Sequence, residues 1–389
     1  MRAWNSISHR ITLAPKPITE GRKPPTKGAP MEFGLFMMPL HPPHRTYADS
    51  YDRDLELIVN ADKLGYTEAW IGEHVTERWE NAPAPDLLIA KASGMTENII
   101  FGTGVTLLAI HNPVDLAHRL AMLDHLCRGR FYWGIGTRAI PTDLELYGLD
   151  SNDRVGVGER SQEVLDVVLK MWQNEGKFEY HGRHFDISAP ELDSVKERGL
   201  HMKPFQNPHP PISAAATTIR SDSIRNAGVN GWIPMSSPTL SVPNLIGHWE
   251  EYEAGAASAG RSVDRSQWHI ARDVLVAPTA QEARERAEAV LVRNYQVHQE
   301  PNRQASLLAG SKISPDMPDD EVNVEYLMDN VWIVGDPQEC ADKIRKIYGE
   351  VGGFGTLLTV TQDPDNHQWQ QECLKLLKNE VGPKIADLG

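Results

Sequence analysis

From residue 31 onward, short apolar segments and amphipathic stretches alternate eight times, and this alternation constrains the fold more than any other feature of the chain. The candidate strands are EFGLFM (32–37), EAWIGE (68–73), IIFGTGVTLL (99–108), RFYWGIG (130–136), PISAAA (211–216), GWIPM (231–235), HIARDVLVA (269–277) and FGTLLTV (354–360). Helical patterns such as YDRDLELIVNADKLG and PVDLAHRLAMLDHLC lie between them, with apolar positions three and four apart, as at Leu55, Ile58 and Val59. Gly65 and Gly352 stand where left-handed C-caps end such helices. Strand then helix, repeated in this way, predicts an α/β fold, a (β/α)8 TIM barrel with insertion loops. A doubly wound sheet uses the same local units, and the count does not exclude it.

Residues 31–389 read as one barrel, interrupted near 174–207, where FEYHGRHFDI resembles a small hairpin, and near 297–330, which is polar and punctuated by proline. Loops this long are lids, binding elements or solvated decoration. Residues 1–30 form a Pro-rich, mildly basic stretch, with Arg2, Arg10, Lys16, Arg22, Lys23 and Lys27 against Glu20, and read as a flexible N-terminal extension. A tail disordered in isolation, residues upstream of a true start at Met31, and an arm docked on a neighbouring subunit all fit it.

Composition removes several classes of function. A net charge of −14 with no basic stripe argues against a nucleic-acid surface. No apolar run approaches the ~18 residues of a spanning helix, and the N-terminus lacks the apolar segment of a signal peptide. Cys127, Cys340 and Cys373 are far apart and lack CxxC spacing, so neither a disulfide framework nor a zinc ribbon is expected and a reducing cytoplasm is the default.

Barrel chemistry sits where strands end, and WIGEHVTE (70–77) ends a strand on Glu73 and His74. His74 either bonds nearby backbone or faces a reaction chamber. In PLHPPH, His41 and His44 have HxxH spacing, but prolines separate them and no acidic third ligand is close, so pocket lining or surface is expected and no metal. HGRH (181–184) reads as solvated. WGIGTRA (133–139) contains GxGxxA, yet it follows a fourth strand and Ile140 and Pro141 interrupt any helix directly after it. Its glycines are expected to make room for something flat and close to the backbone. In SAAATTIRSDSIRNAG (213–228), Thr217, Thr218, Arg220 and Ser221 before a helix suit a phosphate, and ordinary N-capping by Ser221 fits equally well.

The blocks EFGLFMMPL, LGYTEAWIGEHVTE, GTGVTLLAIHNPVDLAHRLAMLDHLCRGRFYWGIG and AGVNGWIPM together resemble the bacterial luciferase-like flavin monooxygenases, closely to about Pro234 and more weakly beyond. GTRAIPTDLELYGLD with MKPFQNPHPPI and VDRSQW is similar to the limonene monooxygenase-like branch. The resemblance implies a barrel, dimeric or a dimer of dimers, that binds reduced FMN (FMNH2) with molecular oxygen as co-substrate. GEHVTE matches the family's EHHFTE block, so His74 falls on the catalytic histidine that favours the flavin peroxide, with Glu73 beside it; the second histidine of the block is Val75 here. Thr106 and Leu107 fall where the third strand passes beneath the flavin ring, often through a nonprolyl cis peptide, and Asn112 falls among ring or ribityl contacts. Gly136, Thr137 and Arg138 fall near the ribityl and phosphate, although luciferase carries its arginine one position earlier. Ala216, Thr217, Thr218 and Ser221 match the phosphate segment, with Ala-Ala-Thr-Thr in place of Gly-Ser-Ser. Met38, His41 and Trp79 are the expected substrate contacts.

The implied activity is a two-component monooxygenase that inserts one oxygen atom into a small, mainly apolar molecule by epoxidation, hydroxylation or Baeyer–Villiger insertion. With no second nucleotide site evident, a separate NAD(P)H:flavin reductase would supply the reduced flavin. A deazaflavin-dependent hydride-transfer enzyme on the same fold and a flavin-binding relative without chemistry are the alternatives.

Overall fold

The expected strands pair into a closed parallel barrel. The computed structural model describes residues 28–389 other than 138, 218, 219, 294, 296–306, 363 and 364, so the N-terminal extension up to residue 27 lies outside the described residues. Eight strands supply the staves: β1 (Glu32–Leu40), β2 (Glu68–Ile71), β3 (Ile100–Thr103), β5 (Phe131–Gly136), β8 (Ile212–Ala216), β9 (Ile233–Ser236), β10 (His269–Val276) and β12 (Thr356–Gln362). Each pairs in parallel with the next, β9 pairs with β10, and β12 pairs with both β10 and β1, which closes the ring. This is a TIM barrel, so the doubly wound alternative is set aside. The short β4 (Thr106–Leu107) continues the third stave after a break, and β11 (Ile333–Gly335) extends the sheet beside the outer half of β10.

Helices α1 (Tyr47–Leu64), α2 (Pro85–Ser93), α3 (Pro113–Cys127), α4 (Pro141–Leu146), α5 (Arg154–Gln173), α6 (Asp222–Asn230), α7 (Val242–Ser258), α8 (Ala280–Ala287), α9 (Val324–Asn330), α10 (Pro337–Val351) and α11 (His367–Leu376) run between or after the strands. Local chemistry sets their ends. Thr46 caps α1 by accepting from the Asp49 amide, and Gly65, at φ 81°, turns the chain left-handed to close it. Alternation along the strands then divides the apolar side chains. Leu35, Phe101, Trp133 and Ile270 pack outward against the helices, while Phe36, Trp70, Tyr132 and Leu358 fill the barrel itself.

Two details differ from the sequence reading. Pro141 begins α4, because a proline at the first helical position loses no hydrogen bond. The hairpin of β6 (Phe178–His181) and β7 (Asp186–Ala189) does form, but the segment near 174–207 joins the end of α5 to the start of β8, at the end of the barrel opposite the strand C-termini. It is decoration at the base and not a lid. Among the described residues no helix is long and apolar enough to cross a membrane.

Candidate active site

A cavity of about 480 Å³ opens at the C-terminal ends of the strands. Its inner wall comes from Phe36, Met38, Gly104, Val105, Leu107 and Met235, and Leu307, Leu327, Val331 and Trp332 cover it from the later segment. The interruption near 297–330 therefore behaves as the covering element its length suggested, although its first residues lie outside those described. Between β3 and β4 the Gly104–Val105 peptide is cis, just before Thr106 and Leu107, where the resemblance places the third strand beneath a flavin.

His74 follows β2 and lines the cavity. Its Nδ1 lies 3.0 Å from Asp143 Oδ2 and its Nε2 2.9 Å from Glu80 Oε2. Asp143, in the first turn of α4, also accepts from the amides of Val75 and Thr76 at 3.1 and 2.8 Å and from the Thr76 hydroxyl at 2.7 Å. Burial acts to raise the Asp143 carboxyl, but the hydrogen bonds from His74 and Thr76 outweigh it and hold the group below the usual carboxylate range. One ionised carboxylate thus fixes both the loop and the imidazole. His74 thus stands on the wall of the chamber, with Asp143 and Glu80 at its two ring nitrogens.

Glu73 lines the same cavity but its carboxylate is already engaged. Oε2 accepts from the Leu107 amide at 2.7 Å, and His111 Nε2 lies 2.9 Å from Oε1. It ties the end of β2 to β4, which fits positioning better than the catalysis expected beside His74.

Among the expected cofactor and substrate contacts, Met38, Leu107, Ala216 and Thr217 line the cavity. Others point elsewhere for identifiable reasons. Thr106 is buried behind the wall, donating to Thr103 Oγ1 at 3.1 Å and accepting from Trp133 Nε1 at 3.2 Å. Asn112 is exposed and caps α3, accepting from the amides of Val114 and Asp115. Thr137 is also exposed, its carbonyl accepting from Ser161. A Cβ on Gly136 would come within 2.4 Å of Val105 Cγ2, and one on Gly134 within 1.9 Å of the Thr103 carbonyl oxygen. These glycines let the fourth stave approach the third and the peptide that follows it. Ser221 precedes α6 without a side-chain capping bond, so the capping reading fails there and the residue is not on the cavity wall. Arg138 and Thr218 lie outside the described residues.

His41 is turned away as well: Nδ1 lies 2.8 Å from Asn81 Oδ1 in the loop after β2 and Nε2 3.0 Å from Asp54 Oδ1 on α1, so both ring nitrogens are engaged by packing. His44 instead faces Asp365 at 3.5 Å, and the HxxH pair does not converge. Trp79 lies under the Arg293 guanidinium, 5.9 Å from its ring centre, outside the cavity wall. Asp143, Glu80, Asp273 and Gln362 were missed. Asp143 resembles an ordinary acidic residue of a first helical turn, and Gln362 carries no motif at all.

These features coincide with a family match. The chain belongs to the luciferase-like monooxygenases, whose family model matches residues 31–353. It is 31% identical over 360 residues to 4-hydroxyprotoasukamycin monooxygenase of Streptomyces nodosus subsp. asukaensis, covering 91% of this chain and 92% of that protein. It is 31% identical to 3,6-diketocamphane 1,6-monooxygenase of Pseudomonas putida, over 91% of this chain and 98% of that one. The limonene 1,2-monooxygenase of Rhodococcus erythropolis is 27% identical over 92% and 88% of the two chains. Among solved structures, the oxygenating constituent of 3,6-diketocamphane monooxygenase, a type II Baeyer–Villiger monooxygenase in complex with FMN, superposes with a TM-score of 0.84 at 29% identity, over 91% of this chain and 99% of that one.

Proposed function

We propose that this chain is the oxygenase component of a two-component flavin monooxygenase, taking reduced FMN and molecular oxygen and acting on a small, mainly apolar molecule. The observation that carries this reading is the apolar, partly covered cavity on whose wall His74 is held between Asp143 and Glu80. Its volume of about 480 Å³ lies within the ~300–1,000 Å³ of cofactor and substrate sites. When bound, reduced FMN supplies the activation of oxygen. Gly104, Val105 and Leu107 would hold its ring, and Ala216 and Thr217, leading toward α6, its phosphate end.

The chain's own part is proton handling and exclusion of water. Asp143 orients His74 through Nδ1, which leaves Nε2 as the atom that gives or takes a proton, with Glu80 Oε2 beside it. Leu327, Val331 and Trp332 shield that proton from bulk solvent. Kinship with monooxygenases gives the deazaflavin alternative less support. We assign dimeric assembly and cytoplasmic residence on the resemblance, together with three buried free thiols.

The test is reconstitution. The purified protein with NADH alone should form no product, whereas addition of a flavin reductase, FMN and oxygen should oxidise an apolar substrate. Steady product formation from NADH without a reductase would contradict the proposal.

A further inference from the structure

Three carboxyls line the cavity, and Asp273, unlike Glu73 and Glu80, engages neither a histidine nor the β2–β4 junction. It stands near the end of β10, beside Gln362 at the end of β12. Gln362 Nε2 donates to Asp273 Oδ1 at 2.9 Å, which fixes the plane of the carboxyl and marks Oδ1 as an acceptor. Oδ2 has no hydrogen-bond partner among the described residues, and the side chain is only partly buried, so the free oxygen belongs to the cavity. The surroundings are apolar: Leu291, Leu327, Val331, Trp332 and Val360 share this wall.

The geometry points to Asp273 as a specificity-determining residue whose Oδ2 accepts a hydrogen bond from the hydroxyl of an otherwise apolar substrate, with Gln362 as its positioning partner. This rests on the function proposed above and names the substrate class for the same cavity. Burial raises the Asp273 carboxyl to about 6, against the opposing Gln362 hydrogen bond and the Arg272 charge, so the acceptor form prevails at neutral pH. The adjacent guanidinium of Arg272, itself buried, disfavours a cationic group at the same place. An apolar wall with one oriented acceptor discriminates because a ligand without a donor leaves that acceptor desolvated and unpaired.

Cyclohexanol, cyclohexanone and cyclohexylamine share a skeleton and differ in the polar group, and their binding to the full-length protein can be followed by calorimetry. The hydroxyl compound should bind about tenfold more tightly than the ketone, in line with a hydrogen bond to a charged acceptor. D273A should abolish that preference while leaving the ketone's affinity unchanged, and Q362L should weaken it. Equal affinities for the alcohol and ketone in the wild-type protein, tightest binding of the amine, or an undiminished alcohol preference in D273A would each overturn the assignment. The wild-type comparison stands even if the variants do not fold. Anaerobic titration with reduced FMN in the same preparations separates the two levels: normal flavin binding without alcohol preference defeats only the Asp273 assignment, whereas absent flavin binding defeats the function itself.

Discussion

His74 has a carboxylate oxygen within 3.0 Å of each ring nitrogen, an arrangement that accommodates the protonated ring while leaving a route for its proton. H74A should leave reduced FMN binding near the wild-type level but lower product formation by about 10²–10⁴-fold, the usual contribution of a positioned acid or base. Unchanged turnover would remove His74 from the chemistry. D143N keeps the shape but takes away the ionised acceptor, so it should lower kcat and displace the acidic limb of its pH profile; an unaltered profile would leave Asp143 with only a structural part. A second histidine has a purely structural consequence. Inside the barrel, His269 Nε2 lies 2.8 Å from Glu68 Oε2, which also accepts from Trp70 Nε1. Burial lowers the His269 imidazole, but the Glu68 charge and hydrogen bond outweigh it, and the net shift is upward. A folded-state value above the unfolded one, about 6.5, means that this pair stabilises fully below that pH and less as pH rises through the folded value. Urea midpoints should therefore fall on the alkaline side in the wild-type protein and fall less in H269Q; parallel curves would contradict the linkage.

Elements with the same apparent status in the sequence have opposite parts in the structure. The two long interruptions looked alike, yet only the later one reaches the cavity. Replacing 178–189 with a tight turn should leave kcat/KM unchanged, since the hairpin is held at the outside by Glu163 accepting from the amides of Arg183, His184 and Phe185. W332A, by contrast, should raise KM more than it lowers kcat, because Trp332 lies on the apolar wall that covers the cavity. A loss of activity on hairpin removal would reverse the two assignments. Strands were legible because their apolar runs and small residues follow from burial on both faces. The glycines of the fourth stave were visible too, but their purpose was not: Gly134 accommodates the Thr103 carbonyl, a contact between elements about thirty residues apart that no local pattern encodes.

At the scale of the whole molecule, the barrel and its catalytic end were readable from periodicity, and the family from the order of its blocks. The network of side chains around His74 was not. Asp143 reaches it across 69 positions, Glu73 is drawn to Leu107 and His111, and His41 is withdrawn by Asp54, all consequences of closure. Side chains at strand ends are reliably placed near the mouth by topology, whereas the direction each one faces depends on partners brought in by other staves. Closure also forms a covered chamber at the strand ends, and the function proposed for it requires protection of a bound reduced flavin during its reaction with oxygen. The most direct measurement mixes protein loaded anaerobically with reduced FMN against oxygenated buffer and follows the return of oxidised-flavin absorbance. The bound flavin should reoxidise far more slowly than free reduced FMN, and H74A should speed that return; a wild-type time course identical to that of free flavin would contradict the account.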